Sequence, residues 1–280
     1  MTRQISILLV FAAVSLSPSF AAEKLSALTV RLDLQKGDYI EGERIKAVVD
    51  VANASVDPID ARGPTAPDRL ILELFRASDR HQFEKTSDKP YVEPFALLSG
   101  EGQLLDVYFA EHFPIVESTR YYARAVLIHK RTRYESALKS FNVVPGLRCG
   151  GAVQMFSNKE GLRREFELVH WGREQVEHLF LKAKDAGTST RSWTTTDLGP
   201  FISMTRPKVS VLPSGEVVTL HRTTQDAFIR TEFWSLPDVF EFNLHELMMD
   251  PDVAGAARVK ELYKESGGVE PVKKAWWKFW

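Results

Sequence analysis

The stretch TVRLDLQKGDYIEGERIKAVVDVAN, residues 29–53, decides how the chain is read. Val30, Leu32 and Leu34 alternate with Thr29, Arg31 and Asp33, the period of a strand with one wet face. Gly37 and Gly42 punctuate the connection that follows, where a backbone at positive φ is cheapest for glycine. Ile45, Ala47, Val49 and Val51 carry the buried parity of a second strand, with Lys46 and Asp50 turned outward. Val48 breaks the alternation, so the outer face of that strand is expected to be partly covered. Strand, glycine-marked turn and strand predict the opening of an all-β sandwich.

Further along, residues 54–68 hold three prolines and Gly63 and read as a loop or a broken edge segment. Leu70, Leu72 and Leu74 restore the two-residue period, and the charged, turn-rich residues 77–94 form a long surface connection. Leu105, Val107 and Phe109 mark another strand after the turn at residues 99–102. Tyr121, Ala123, Ala125 and Leu127 line one side of a central strand. Residues 134–144 close the domain with a change of register between Leu138 and Phe141, and Pro145-Gly146 ends it. Roughly seven strands in about 120 residues is the count of an immunoglobulin-like sandwich.

The residues support a resemblance at this point. Asp38-Tyr39-Ile40-Glu41-Gly42-Glu43, the strand from Ile45 to Val49 and Asn53-Ala54-Ser55 resemble bacterial immunoglobulin-like modules of the macroglobulin and proteinase-inhibitor type. Residues 121–125 and 140–144 look like the last two strands of such modules, and the likeness covers residues 25–145. It implies a fold rather than an activity, and no inhibitory loop carries over. It also makes Tyr121 a candidate tyrosine-corner residue, the alternative being an ordinary core tyrosine.

Composition bears on address. Arg3, the apolar run over residues 5–17 and Ser19-Phe20-Ala21 read as a removable signal peptide over residues 1–21. The apolar run falls short of the ~20 residues a membrane span needs. About 258 residues remain, enough for one large domain or two of ordinary size. A single cysteine, Cys149, cannot form an intramolecular disulfide, which fits a bacterial periplasmic or extracellular location better than a eukaryotic secreted one. The formal net charge of −1, without a basic patch, argues against a nucleic-acid partner.

After the domain of residues 22–146, residues 147–151 read as a joint and residues 147–249 as a second antiparallel β module. PKVSVLPSGEVVTLHR and EFELVHWGREQVEHLF form a weak repeat at about forty residues, and residues 207–217 resemble blade strands of β-propellers. Two units cannot close a ring, so the readings are a small meander or sandwich, or a propeller fragment completed by oligomerisation. Residues 250–280 hold a helix over residues 253–264, with Asp250 and Pro251 at its start, and the tail VKKAWWKFW. That tail predicts a membrane-interface or partner-docking element, or a cover over a groove of the β modules.

Motifs for chemistry are sparse. Gly37 and Gly42 have phosphate-loop spacing, but Glu43 stands where a lysine is needed. His245-Glu246 opens like a zinc-protease helix, yet Met249 replaces the second imidazole. His170, His178 and His221, with Asp197 or Asp226, would form a metal site only if neighbouring strands bring them together. No catalytic residue, metal or cofactor is assigned. Trp171, Trp193, Trp234, Trp276, Trp277 and Trp280 are the candidate contacts to a partner or glycan, against a default role as core aromatics. The leading reading is therefore an exported, non-catalytic protein that binds an envelope protein or glycan. Its rivals are an envelope hydrolase or lyase using Glu165, Glu167, His170 and His221, and a structural subunit docked through residues 272–280.

Overall fold

The computed structural model describes residues 28–249, apart from residues 64, 157–160, 174 and 187–192. The segment read as a leader, the helix read over residues 253–264 and the tail with Trp276, Trp277 and Trp280 lie outside the described residues. Within them the chain is almost entirely β, with eighteen strands in several sheets and one 3-10 turn, Phe109–Glu111. No helix among the described residues is long and apolar enough to cross a membrane.

The opening stretch forms β1 (Leu28–Leu34), β2 (Asp38–Ile40) and β3 (Lys46–Asn53). β1 and β3 pair antiparallel with Val30 opposite Val51 and Leu32 opposite Val49, so the two apolar faces coincide. After β4 (Ile59–Ala61), β5 (Arg69–Arg76) and β6 (Phe95–Leu97), strand β7 (Gly102–Tyr108) joins the free side of β3. The facing sheet contains β8 (Arg120–His129), β9 (Thr132–Glu135) and β10 (Lys139–Val144), in the order β2-β10-β8-β5 with β9 also on β8. Here β2 runs parallel to β10, whereas β8 pairs antiparallel with both β10 and β5. Leu32, Val49, Val51, Leu72, Leu74, Val107, Tyr121 and Phe141 fill the space between the sheets. This is a β-sandwich, driven by apolar area withdrawn from water on two inner faces.

Short strands escape the two-residue pattern. β2, β4 and β6 have three residues each, too few to show a period, and are set by their partners. The register change near Leu138 separates β9 from β10; Ser136 bridges it, its Oγ accepting from the Ala125 N–H at 3.0 Å. Gly42 has φ +83°, as expected for the turn, while Gly37 is not among the positive-φ glycines.

Two four-stranded meanders follow. The first comprises β11 (Leu147–Met155), β12 (Arg163–Arg173), β13 (Val176–Ala186) and β14 (Thr194–Pro200). The second comprises β15 (Lys208–Val211), β16 (Glu216–Thr224), β17 (Ala227–Leu236) and β18 (Val239–Met249). They pack face to face, with Phe166, Leu168, Leu181 and Leu198 of one against Val217 and Phe233 of the other. The two segments matched as a repeat are offset by one strand: β12–β13 are the second and third strands of their sheet, β15–β16 the first and second of theirs. The joint read at residues 147–151 is instead the start of β11. Its glycines disguise a strand: a Cβ on Gly151 would lie 2.8 Å from the Phe166 carbonyl oxygen, so glycine permits the close approach to β12.

Candidate functional site

The turn after β2 plugs the first module into the second. Gly42 sits so close to the chain entering β14 that a Cβ would overlap the Trp193 carbonyl oxygen. The Thr195 N–H donates to the Gly42 carbonyl at 3.0 Å, and the Thr195 hydroxyl to the Glu41 carbonyl at 2.6 Å. Beside this seam Ile40, Val169 and Phe180 form a small apolar cluster that Trp171 and Val144 border.

A chain of charges runs along the same seam. Glu43, 8% exposed, accepts from the Ile40 N–H at 2.9 Å and from Lys36 Nζ at 2.8 Å, and pairs with Arg173 of β12. Arg173 also donates to Asp197 at 3.0 Å. Asp197 holds His178 Nδ1 at 3.0 Å and accepts the Gly199 N–H at 2.9 Å. Lys182, buried on β13, pairs with Glu41 at 2.9 Å and lies 4.7 Å from the Trp193 ring centre. Ions buried this way demand full pairing, because an uncompensated one costs several kcal/mol. The modules therefore meet in a fixed geometry.

Two cavities flank the clamp. One of about 390 Å³ lies between Ile40, Ile45, Phe113, Val143 and Trp193, with Glu41 at its wall. The other, about 360 Å³, is lined by Lys36, Asp38, Arg173, Val176, His178 and Asp197. The first is lined by the first module with Trp193 of the second closing it, whereas the other is built from both modules.

The sequence candidates disperse. Trp171 and Trp193 lie toward the first module, whereas Trp234, 40% exposed, alternates with the inward Phe233 on the other sheet; the three share no platform. Trp171 leaves its buried Nε1 without a partner among the described residues. Glu165 and Glu167 occupy the outward parity of β12, paired with Arg163 at 2.9 Å and Arg148 at 3.6 Å. His170 has the opposite parity, 3.5 Å from Glu177, and its ring lies 5.6 Å from Phe201. His221 is buried on the inner face of β16, its ring 6.2 Å from the same Phe201. That quartet thus splits two and two across a sheet.

Of the three histidines considered with Asp197, only His178 meets it, and no cluster of three metal-ligating groups occurs among the described residues. His245 lies on strand β18, not a helix, with Nδ1 3.0 Å from the Thr231 hydroxyl. Burial pushes the Cys149 thiol up to about 11, which keeps it protonated and a poor nucleophile. The residues that sequence reasoning missed are Lys36, Asp38 and Arg173, because only the docking of the modules assembles them.

No family model matches the chain, and no curated protein matches it. Among solved structures it is similar to Spo0M, a sporulation control protein of Bacillus subtilis, at 12% identity and a TM-score of 0.30, covering 62% of this chain and 90% of that one. It is also similar to the NanB sialidase of Streptococcus pneumoniae, at 9% identity and a TM-score of 0.27, covering 81% of this chain and 40% of the sialidase. Neither likeness is close enough to assign a family or an activity.

Proposed function

We propose that the chain is an exported, non-catalytic β protein that binds a protein or glycan partner of a bacterial cell envelope at the junction of its modules. The observation that carries this reading is the junction itself, where buried ion pairs hold two modules together while leaving open cavities of about 390 and 360 Å³. Rigid clefts between domains are favoured places for ligands, since their ordering cost is met in folding. The signal-peptide pattern of residues 1–21 supports export, and the single cysteine fits a bacterial rather than a eukaryotic setting.

The first module is read more finely as immunoglobulin-like. In support, a three-stranded sheet faces a sheet whose short second strand runs parallel to the last. The Tyr121 hydroxyl donates to the Glu117 carbonyl, four residues back, at 3.0 Å, the geometry of a tyrosine corner.

Cell fractionation followed by co-sedimentation with isolated envelope tests the function. The chain is expected outside the cytoplasm and saturably bound to an envelope fraction. Retention in the cytosol, or no saturable binding to any fraction, overturns the reading.

A second reading, an envelope hydrolase, is favoured by the His178–Asp197 pair in an open cleft. Product release from envelope glycan that His178→Ala abolishes would put this reading in place of the first.

A further inference from the structure

We infer that the 360 Å³ cleft between the modules is a binding site for a short, uncharged saccharide. This rests on the binding reading above and narrows its partner from protein or glycan to glycan. The cleft takes Lys36 and Asp38 from the first module and Arg173, Val176, His178 and Asp197 from the second.

His178 carries the argument. Its Nδ1 lies 3.0 and 3.2 Å from the two Asp197 oxygens, which fixes the proton on Nδ1. Nε2 has no partner among the described residues and is left to hydrogen-bond a ligand, on a ring that lines the cleft. Asp197 is itself anchored by Arg173 and the Gly199 N–H, so the imidazole is held in place before any ligand arrives. Across the cleft, Lys36 is a third exposed and its ammonium makes one hydrogen bond, to Glu43, leaving protons to donate. Asp38 receives Asn142 Nδ2 on Oδ1 at 2.7 Å, leaving its second oxygen to accept. Acceptors and donors thus face each other over a distance set by the clamp.

Charge selects among ligands. Two cations, Lys36 and Arg173, balance two carboxylates, Asp38 and Asp197, in the lining. A phosphate site needs surplus positive charge, and a site for a basic peptide needs surplus negative charge; this lining offers neither. A sugar ring supplies hydroxyls that hydrogen-bond to His178, donate to Asp38 and accept from Lys36. Val176, 46% exposed at the wall, presents an apolar surface for the C–H face of the ring. The cavity volume is at the small end of ligand pockets, which suits a saccharide of few units.

The test is titration of the full chain with N,N′-diacetylchitobiose, maltose and inorganic phosphate, followed by calorimetry and by the His178 ring resonances. Saturable binding of at least one disaccharide that moves those resonances is expected, with no response to phosphate. His178→Gln and Asp197→Asn, each checked for native circular dichroism, are expected to weaken binding by about tenfold or more, the worth of one good hydrogen bond. Phosphate binding in preference to both sugars overturns the inference. So does disaccharide binding unchanged in folded His178→Gln, or no saturable response to either disaccharide. Envelope co-sedimentation that survives in His178→Gln would likewise overturn this site while leaving the broader binding reading standing.

Discussion

At the scale of single residues, His221 ties stability to pH although it is only 1% exposed to solvent. Neither ring nitrogen has a hydrogen-bond partner among the described residues. Burial pushes its pKa down to about 4; the nearby Pro200 carbonyl pulls the other way without reaching hydrogen-bond geometry, and His245 adds a smaller downward push. The sign follows from linkage. In the unfolded chain the imidazole takes up a proton near pH 6.5, whereas in the fold it resists until about 4, so the unfolded state binds more protons in between. The contribution is fully present above pH 6.5 and is lost as pH falls toward 4, on the order of 3 kcal/mol in all. Urea unfolding from pH 7 to 4 is expected to give a flatter stability profile in His221→Leu than in the native chain. Parallel profiles would show that His221 is not the group responsible.

Among the elements, β12 depends on one side chain. Arg164 is buried and donates to both Asp185 oxygens, at 2.6 and 3.1 Å. Its Nη1 also donates to the Ser235 hydroxyl and to the Leu236 and Val239 carbonyls, at 2.9–3.1 Å. Those carbonyls flank the β17–β18 turn, so Arg164 bolts one meander to the other. Gln154 strengthens the joint by donating to the Ser235 carbonyl at 3.0 Å. Arg164→Met keeps an unbranched apolar side chain but removes five hydrogen bonds and the guanidinium that lies over the Phe156 and Phe240 rings. It is expected to cost about 2–4 kcal/mol, read as a lower urea midpoint at unchanged m. A loss below about 0.5 kcal/mol would mean that the apolar faces alone align the two sheets.

Across the whole molecule the clamp couples the modules. Glu43→Gln leaves Lys36 and Arg173 without their shared carboxylate at a site where both Glu43 and Arg173 are nearly buried. Calorimetry of the native chain is expected to show one cooperative transition, and of Glu43→Gln two, as each module unfolds separately. An unchanged single transition would place the coupling in the Ile40–Val169–Phe180 cluster instead. Much of the architecture is legible in the order of residues alone. Residues 29–53 spell out two strands with matched buried faces, and Val30, Leu32, Ala47, Val49 and Val51 are all buried. Alternation is a local property, written in consecutive side chains by the two-residue repeat of a strand. The same locality hides β2, β4 and β6, whose three residues are too short for a period, and β11, whose glycines look like a break. The junction is not legible at all. Glu41, Gly42 and Glu43 read as a turn, and nothing nearby foretells Lys182, Arg173 or Trp193, more than a hundred residues away. The sequence by itself determined which faces avoid water, and so an all-β chain with sandwich packing. Only the tertiary structure decided where charges converge, because pairing between modules depends on docking geometry that no periodicity encodes.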